Sequence, residues 1–247
     1  MVVLEGRISI EAALRAGTRD VSEILALQPG DRRLSRLRAV AAERGVPLRV
    51  ASTLEIEELA AGRTHGGVLA LAGERRYADL EQLLADSGPT PFLVMLDGVE
   101  DPYNFGAAIR GVYAAGAAGL IVRPRSWEQA AGTVARASAG ASELMPTAMV
   151  ETSEQAADLC RAAGLRVVCA AARSDAVSMH EADLGGALFL LVGGERRGIT
   201  RSFLDRADLV VRIPYARPVL GSLGTATAAA VLAFEAMRQR TAGQAQR

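Results

Sequence analysis

The chain has 247 residues, half of them hydrophobic, and its 28 basic side chains balance 28 acidic ones to a formal net charge of zero. That length suffices for one large or two modest domains with their own cores. The balance excludes a uniformly basic nucleic-acid coat while leaving room for a local basic face. Apart from two histidines every basic residue is an arginine, a planar fork suited to phosphate.

Residues 1–72 alternate short helical and strand signals. Apolar periodicity predicts helices over 10–16, 32–44 and 54–61, and strands over 22–27, 48–51 and 68–71, which together make a small α/β unit. Arg32, Arg33, Arg36 and Arg38 crowd one helix, an arrangement that serves either as a solvated face or as an RNA-backbone contact. Residues 73–91 read as a connector with a short helix over 78–84, closed by Ser87-Gly88-Pro89-Thr90-Pro91, which breaks regular structure. The expected division is a domain over 1–75, a linker over 76–91 and a second domain over 92–247.

From Phe92 the pattern becomes strand, helix, strand, helix. Strands are predicted over 92–96, 120–122, 166–171, 188–192 and 209–213, and helices over 107–115, 128–141, 154–163, 201–206 and 225–239. Short apolar strands separated by helices imply a largely parallel sheet covered on both faces. The last helix is apolar almost all round, so it must be buried in the core or against another subunit. Cys160 and Cys169 lie nine positions apart without CxxC spacing, which suggests reduced core residues of a cytosolic protein and neither a metal site nor a disulfide framework. The N-terminus lacks the pattern of a signal peptide and no apolar run approaches membrane-spanning length, so a soluble, cytoplasmic protein is expected.

Three segments carry the chemistry. The first is Asp97-Gly98-Val99-Glu100-Asp101-Pro102-Tyr103-Asn104-Phe105-Gly106-Ala107-Ala108-Ile109-Arg110. The second is Leu191-Val192-Gly193-Gly194-Glu195-Arg196-Arg197-Gly198-Ile199-Thr200. The third is Ile213-Pro214-Tyr215-Ala216-Arg217-Pro218-Val219-Leu220-Gly221-Ser222-Leu223-Gly224-Thr225. Each is a glycine-containing loop after a strand, so all three can meet at one sheet edge, where open α/β sheets place ligands. The Gly193-Gly194-x-x-x-Gly198 spacing only loosely matches a dinucleotide fingerprint, and Asp208 reads as a helix-end or loop charge.

In this order and spacing the segments resemble the motifs of the SpoU or TrmH family of S-adenosylmethionine-dependent RNA ribose 2′-O-methyltransferases: D-x-x-x-D-P-x-N-x-G-x-x-x-R, G-x-E-x-x-G and I-P-x…S-L-N. Gly6-Arg7 to Leu14 and Thr64-His65-Gly66-Gly67-Val68 resemble the small RNA-binding domain that precedes the catalytic domain in many members. The resemblance implies a deep trefoil knot, S-adenosylmethionine in the knot loops, RNA (ribosomal before transfer RNA) as substrate, and a homodimer through the knotted region, with no metal and no membrane. It implies a reaction centre of Arg110, Asn104, Glu195 and Ser222. Cofactor contacts fall at Val192, Gly193, Gly194, Ile213, Pro214, Ser222 and Leu223. RNA contacts fall at Arg7, Arg32, Arg33, Arg36, His65 and Arg110.

Arginine holds its proton until far above neutral pH, so Arg110 is cast as a clamp for the neighbouring phosphate and a stabiliser of the developing alkoxide. Asn104 either fixes Arg110 or the ribose, or caps a helix. Glu195 orders the loops or the arginine. One position departs from the pattern: the asparagine of S-L-N is Gly224 here, with Ser222 or Thr225 as substitutes. Two other readings follow from that loss and from the loops themselves: a non-catalytic RNA-binding protein that keeps the fold, and an ordinary NAD- or ATP-binding domain. His180 reads as loop decoration and Trp127 as packing or a base stack.

Overall fold

A computed structural model describes residues 1–62, 64–124, 130–196, 198–217 and 221–244. Trp127, Pro218 and the start of the helix expected over 128–141 lie outside them. The described residues form two units, 1–76 with 125–144, and 77–124 with 145–247.

In the first unit, β1 (Val2–Glu5), β2 (Val21–Ala26), β3 (Leu48–Val50) and β4 (Val68–Ala72) form a sheet in the order β1-β4-β2-β3. It packs on α1 (Arg7–Ala16) and α2 (Ser35–Glu43), with α3 (Thr53–Leu59) completing the helices of residues 1–76. Leu4, Ile10, Ile24 and Leu37 are fully buried between the layers. The β1 strand is short and followed at once by a glycine, which is why periodicity alone does not mark it.

The expected division at 76–91 is corrected on two counts. First, α4 (Leu80–Asp86), inside the expected linker, buries Leu80 and Leu83 in the second unit. Second, α6 (Ala131–Ala137) and α7 (Ala141–Leu144) fold with the first unit. Gly132 lies so close to the Val3 carbonyl that any Cβ would collide with it. Arg19 Nε meets Glu143 Oε2 at 2.9 Å with the side chains 7% and 1% exposed, and Arg136 pairs with the buried Glu5. Buried charges persist only when paired, and breaking one such pair leaves an uncompensated ion.

In the second unit β5 (Phe92–Asp97), β6 (Gly119–Val122), β7 (Thr147–Met149), β8 (Arg166–Ala170), β9 (Val177–Ser178), β10 (Leu188–Gly193) and β11 (Leu209–Arg212) pair in parallel in the order β7-β6-β5-β10-β8-β11-β9. Leu93, Met95, Val167, Cys169, Phe189 and Leu191 face one core, with α8 (Ser153–Ala162) and α9 (Arg201–Leu204). Alternate residues face the other side, where α5 (Pro102–Ala114) packs closely on α10 (Thr225–Gln244). Gly111 permits that approach, since a Cβ there would sit 2.8 Å from Ala230 Cβ. The expectation that α10 is buried in the core or against another subunit is met in part within this chain: Ala229, Leu232, Ala233 and Ala236 are buried, while Phe234 and Met237 are 43% and 36% exposed. No helix among the described residues is long and apolar enough to cross a membrane.

Candidate functional site

Three loops converge at the C-terminal ends of β5, β10 and β11. After β5 the chain turns at Gly98, whose φ of +74° is accessible to glycine, and Asp101 caps α5 by accepting from Asn104 N at 2.7 Å. Pro102 occupies the first helical turn, where its missing N–H costs nothing. The helix therefore starts five residues before the expected Ala107, and Asn104 is helical; the cap is Asp101.

The loop after β10 lies directly against this turn. Gly194 N donates to Asp97 O at 2.7 Å, and a Cβ on Gly194 would run into the Gly98 carbonyl. A Cβ on Gly193 would likewise sit 2.7 Å from the Gly198 backbone. Both glycines thus permit backbone-on-backbone packing that no other residue allows.

Glu195 gathers the three segments. Its Oε1 accepts from Asn104 Nδ2 at 3.0 Å and from Thr225 N at 3.4 Å. Thr225 Oγ1 donates to Gly193 O at 3.0 Å. In the third loop Tyr215 Oη accepts from Leu223 N at 3.1 Å. Among the described residues a Cβ on Gly224 would meet only Glu195 Oε1, at 3.9 Å, so the polar side chain missing here leaves Glu195 held by two other donors.

A cleft of about 290 Å³ opens between these loops. Val192, Gly193, Gly194, Glu195, Ile213, Ser222 and Leu223 line it, together with Thr225. Pro214 is exposed and does not. Sequence reading missed Ala170, Ala171, Ala172 and Tyr215 on the wall. Nothing polar marks the alanines; only the placement of β8 between β10 and β11 brings them there. Apolar walls beside glycine backbone, with a carboxylate at the rim, suit a ligand with an adenine and a cationic sulfur.

Arg110 does not join this network. It lies six residues beyond Asn104 on α5, hence about 240° around the helix, and is exposed, with no hydrogen bond or ion pair to a described residue. Asn104 reaches Glu195 rather than Arg110. Asp208 accepts from Val167 N at 2.7 Å and pairs with Arg161, a structural strand-edge contact. His180 is exposed beside β9.

In the first unit Arg7 and Arg32 are exposed. Arg33 is bound to Asp31 at 2.7 Å and Arg36 lies 3.5 Å from Glu11. Arg38 donates to the Pro29 and Asp31 carbonyls and so holds the turn before α2. His65 Nδ1 accepts from Gly67 N at 3.1 Å. The arginine cluster is therefore in part a set of local braces.

Residues 91–234 match the SpoU rRNA Methylase family, and residues 3–78 match the RNA 2′-O ribose methyltransferase substrate binding family. The chain belongs to the SpoU rRNA methylase family. Among SpoU relatives, the Pseudomonas syringae pv. tomato 23S rRNA (guanosine-2′-O-)-methyltransferase RlmB is 34% identical over 238 residues, 95% of this chain and 94% of that protein. The RlmB of a Burkholderia species is 35% identical over 242 residues, 96% of each chain. The AdoMet-bound rRNA methyltransferase from Sinorhizobium meliloti superposes with a TM-score of 0.77 at 27% identity, over 96% of this chain and 87% of that one. The SpoU methyltransferase AviRb from Streptomyces viridochromogenes shares the fold, with a TM-score of 0.80 at 24% identity over 98% and 90% of the two chains. An ordinary NAD- or ATP-binding domain is thereby set aside.

Proposed function

We propose that this chain transfers a methyl group from S-adenosylmethionine to the 2′-hydroxyl of a guanosine ribose in 23S ribosomal RNA. The observation that carries the reading is the convergence of the three SpoU motif loops on one cleft, in a chain that aligns with RlmB proteins over nearly its whole length. Bound S-adenosylmethionine supplies an electrophilic methyl group on a sulfonium. The chain's own residues do the rest.

Gly193, Gly194, Ile213 and Leu223 present backbone groups and apolar surface to the cofactor, with Val192 and Ser222 beside them. Asn104, Glu195 and Thr225 hold the loops in register. Arg110, with its guanidinium uncommitted, clamps the phosphate next to the target and stabilises charge developing on the ribose oxygen. Residues 1–75, with Arg7, Arg32, Arg33, Arg36 and His65, bind the RNA.

The described residues of the loops after β10 and β11 belong to a deep trefoil knot, a reading supported by the family and by the bond that ties Thr225 back to Gly193. The protein works as a cytoplasmic homodimer. Its support is the open Phe234 and Met237 on α10, an apolar pair that a second subunit would cover.

The test is transfer of labelled methyl from S-adenosylmethionine to total RNA from a strain lacking the gene. Label confined to 23S RNA, at one alkali-resistant linkage, is expected. Label released by alkali, or no transfer despite cofactor binding, would overturn the assignment.

A further inference from the structure

Among the described residues that line the cofactor cleft, two carry charged side chains, Glu195 and Arg212. Glu195 follows β10 and Arg212 ends β11, and these strands stand two spacings apart, about 10 Å. Glu195 is spent on the motif loops. Arg212 lies on the opposite flank, where β9 pairs with β11, and none of the three motif loops uses it.

The side chain of Arg212 is half-buried and held at its root. Its Nε donates to Ala176 O at 3.0 Å, and its backbone carbonyl accepts from Met179 N at 2.9 Å. These bonds set the plane of the guanidinium. The two terminal nitrogens make no hydrogen bond or ion pair with a described residue. Donors fixed in this way are strongest towards an acceptor that brings its own charge.

The acids that could have matched Arg212 are engaged elsewhere. Asp175 and Asp205 are held by Arg173, at 2.6 and 3.1 Å. Asp208 is held by Arg161 at 3.2 Å and accepts from Val167 N at 2.7 Å. The β11 flank of the cleft therefore presents an unmatched guanidinium to whatever binds there.

The groups of S-adenosylmethionine differ sharply towards such a neighbour. Adenine and ribose are neutral, and the sulfonium and the ammonium are cations that a guanidinium repels. The carboxylate at the end of the methionine chain is the single anionic group. A guanidinium meets a carboxylate through a parallel pair of hydrogen bonds, and here two neighbouring nitrogens are free to make it.

We infer that Arg212 seats the methionine carboxylate of the cofactor through its two terminal nitrogens and so turns the methionine chain towards the β11 flank of the cleft. The choice of ligand rests on the methyltransferase reading; the unmatched guanidinium rests on the geometry of this flank.

The experiment is calorimetric titration of the full chain with S-adenosylmethionine and with its decarboxylated form, which keeps the sulfonium, the amine and the adenosine. The parent should bind the decarboxylated form about 20-fold more weakly, the size of a charge-assisted pair of hydrogen bonds. Arg212→Met, which keeps an apolar stem, should weaken binding of S-adenosylmethionine by the same factor and leave binding of the decarboxylated form unchanged. Arg212→Lys, which restores a basic group without the fork, should fall between the two. Thermal melting of each variant beside the parent separates a lost contact from lost folding.

Equal affinity of the parent for the two ligands, with methyl transfer to RNA intact, overturns the role of Arg212 and leaves the enzyme standing; that comparison needs no variant. Arg212→Met weakening both ligands in equal measure overturns it too, and makes Arg212 a brace for residues 171–178. A parent that binds neither ligand and transfers no methyl overturns both readings.

Discussion

Asn104, on the first turn of α5, donates to Glu195 at 3.0 Å across 91 positions of chain. That bond, with Thr225 N on the same oxygen, joins the three motif loops. Glu195→Ala should therefore release all three together, raising the KM for S-adenosylmethionine and lowering kcat. Asn104→Ala should remove one of the two donors, with a smaller effect of about 1 kcal/mol on kcat/KM. Steady-state kinetics with labelled cofactor check the order of the two variants; equal parent activity in Glu195→Ala would remove this residue from the site.

Arg110 is free of the network that holds the loops. Arg110→Ala should leave melting temperature and cofactor affinity unchanged while methyl transfer falls about 10²- to 10³-fold, as for loss of a donor that meets developing charge. Calorimetric titration with S-adenosylmethionine beside the transfer assay separates the two. Lost cofactor binding in a folded variant would place Arg110 at the cofactor and contradict its role as a clamp on the RNA.

Gly224 stands where the family motif has asparagine, and among the described residues a Cβ there meets only Glu195 Oε1 at van der Waals distance. Gly224→Asn should fold with stability within about 0.5 kcal/mol of the parent, as for most surface changes. Its transfer rate should be equal or higher, because the added amide reaches the same carboxylate. A fall in rate would mean that this loop works by a different arrangement.

Tyr215 accepts the Leu223 N–H at 3.1 Å and so closes the third loop across its base. Removing the hydroxyl in Tyr215→Phe should cost about 1 kcal/mol at that contact. The KM for S-adenosylmethionine should rise about fivefold with kcat little changed. A fall in kcat alone would place the hydroxyl at the reacting atoms instead.

Cys160 and Cys169 are buried, and burial pushes each thiol up to about 12. The thiolate is the reactive form, so neither should react with a disulfide reagent in the folded protein at pH 8, and both should react on unfolding. The folded values lie above the ordinary 9.0. The unfolded chain therefore releases these protons first, and stability should fall as pH rises from about 9 towards 12. Denaturant midpoints across that window test the sign. A rise would show the thiols to be solvated.

Much of this protein is readable from its residues alone. The apolar strands at Phe92, Arg166, Leu188 and Leu209 announce a parallel sheet because a strand covered on both faces has no polar side to show. The glycine loops that follow the strands at Phe92, Leu188 and Leu209 declare a ligand site because only glycine lets two backbones approach as Gly98 and Gly194 do. The motif order was enough to name the family. Tertiary structure alone decided the rest. Short strands such as β1, β7 and β9 carry too few residues for a period, and they form because neighbours pair with them. Asn104 could equally have reached Arg110 or Glu195, since a sequence lists donors and acceptors without saying which will meet. The helices at 131–144 leave the catalytic stretch of chain for the first unit because Glu143 and Arg136 find buried partners there, contacts more than 120 positions apart that no local pattern encodes.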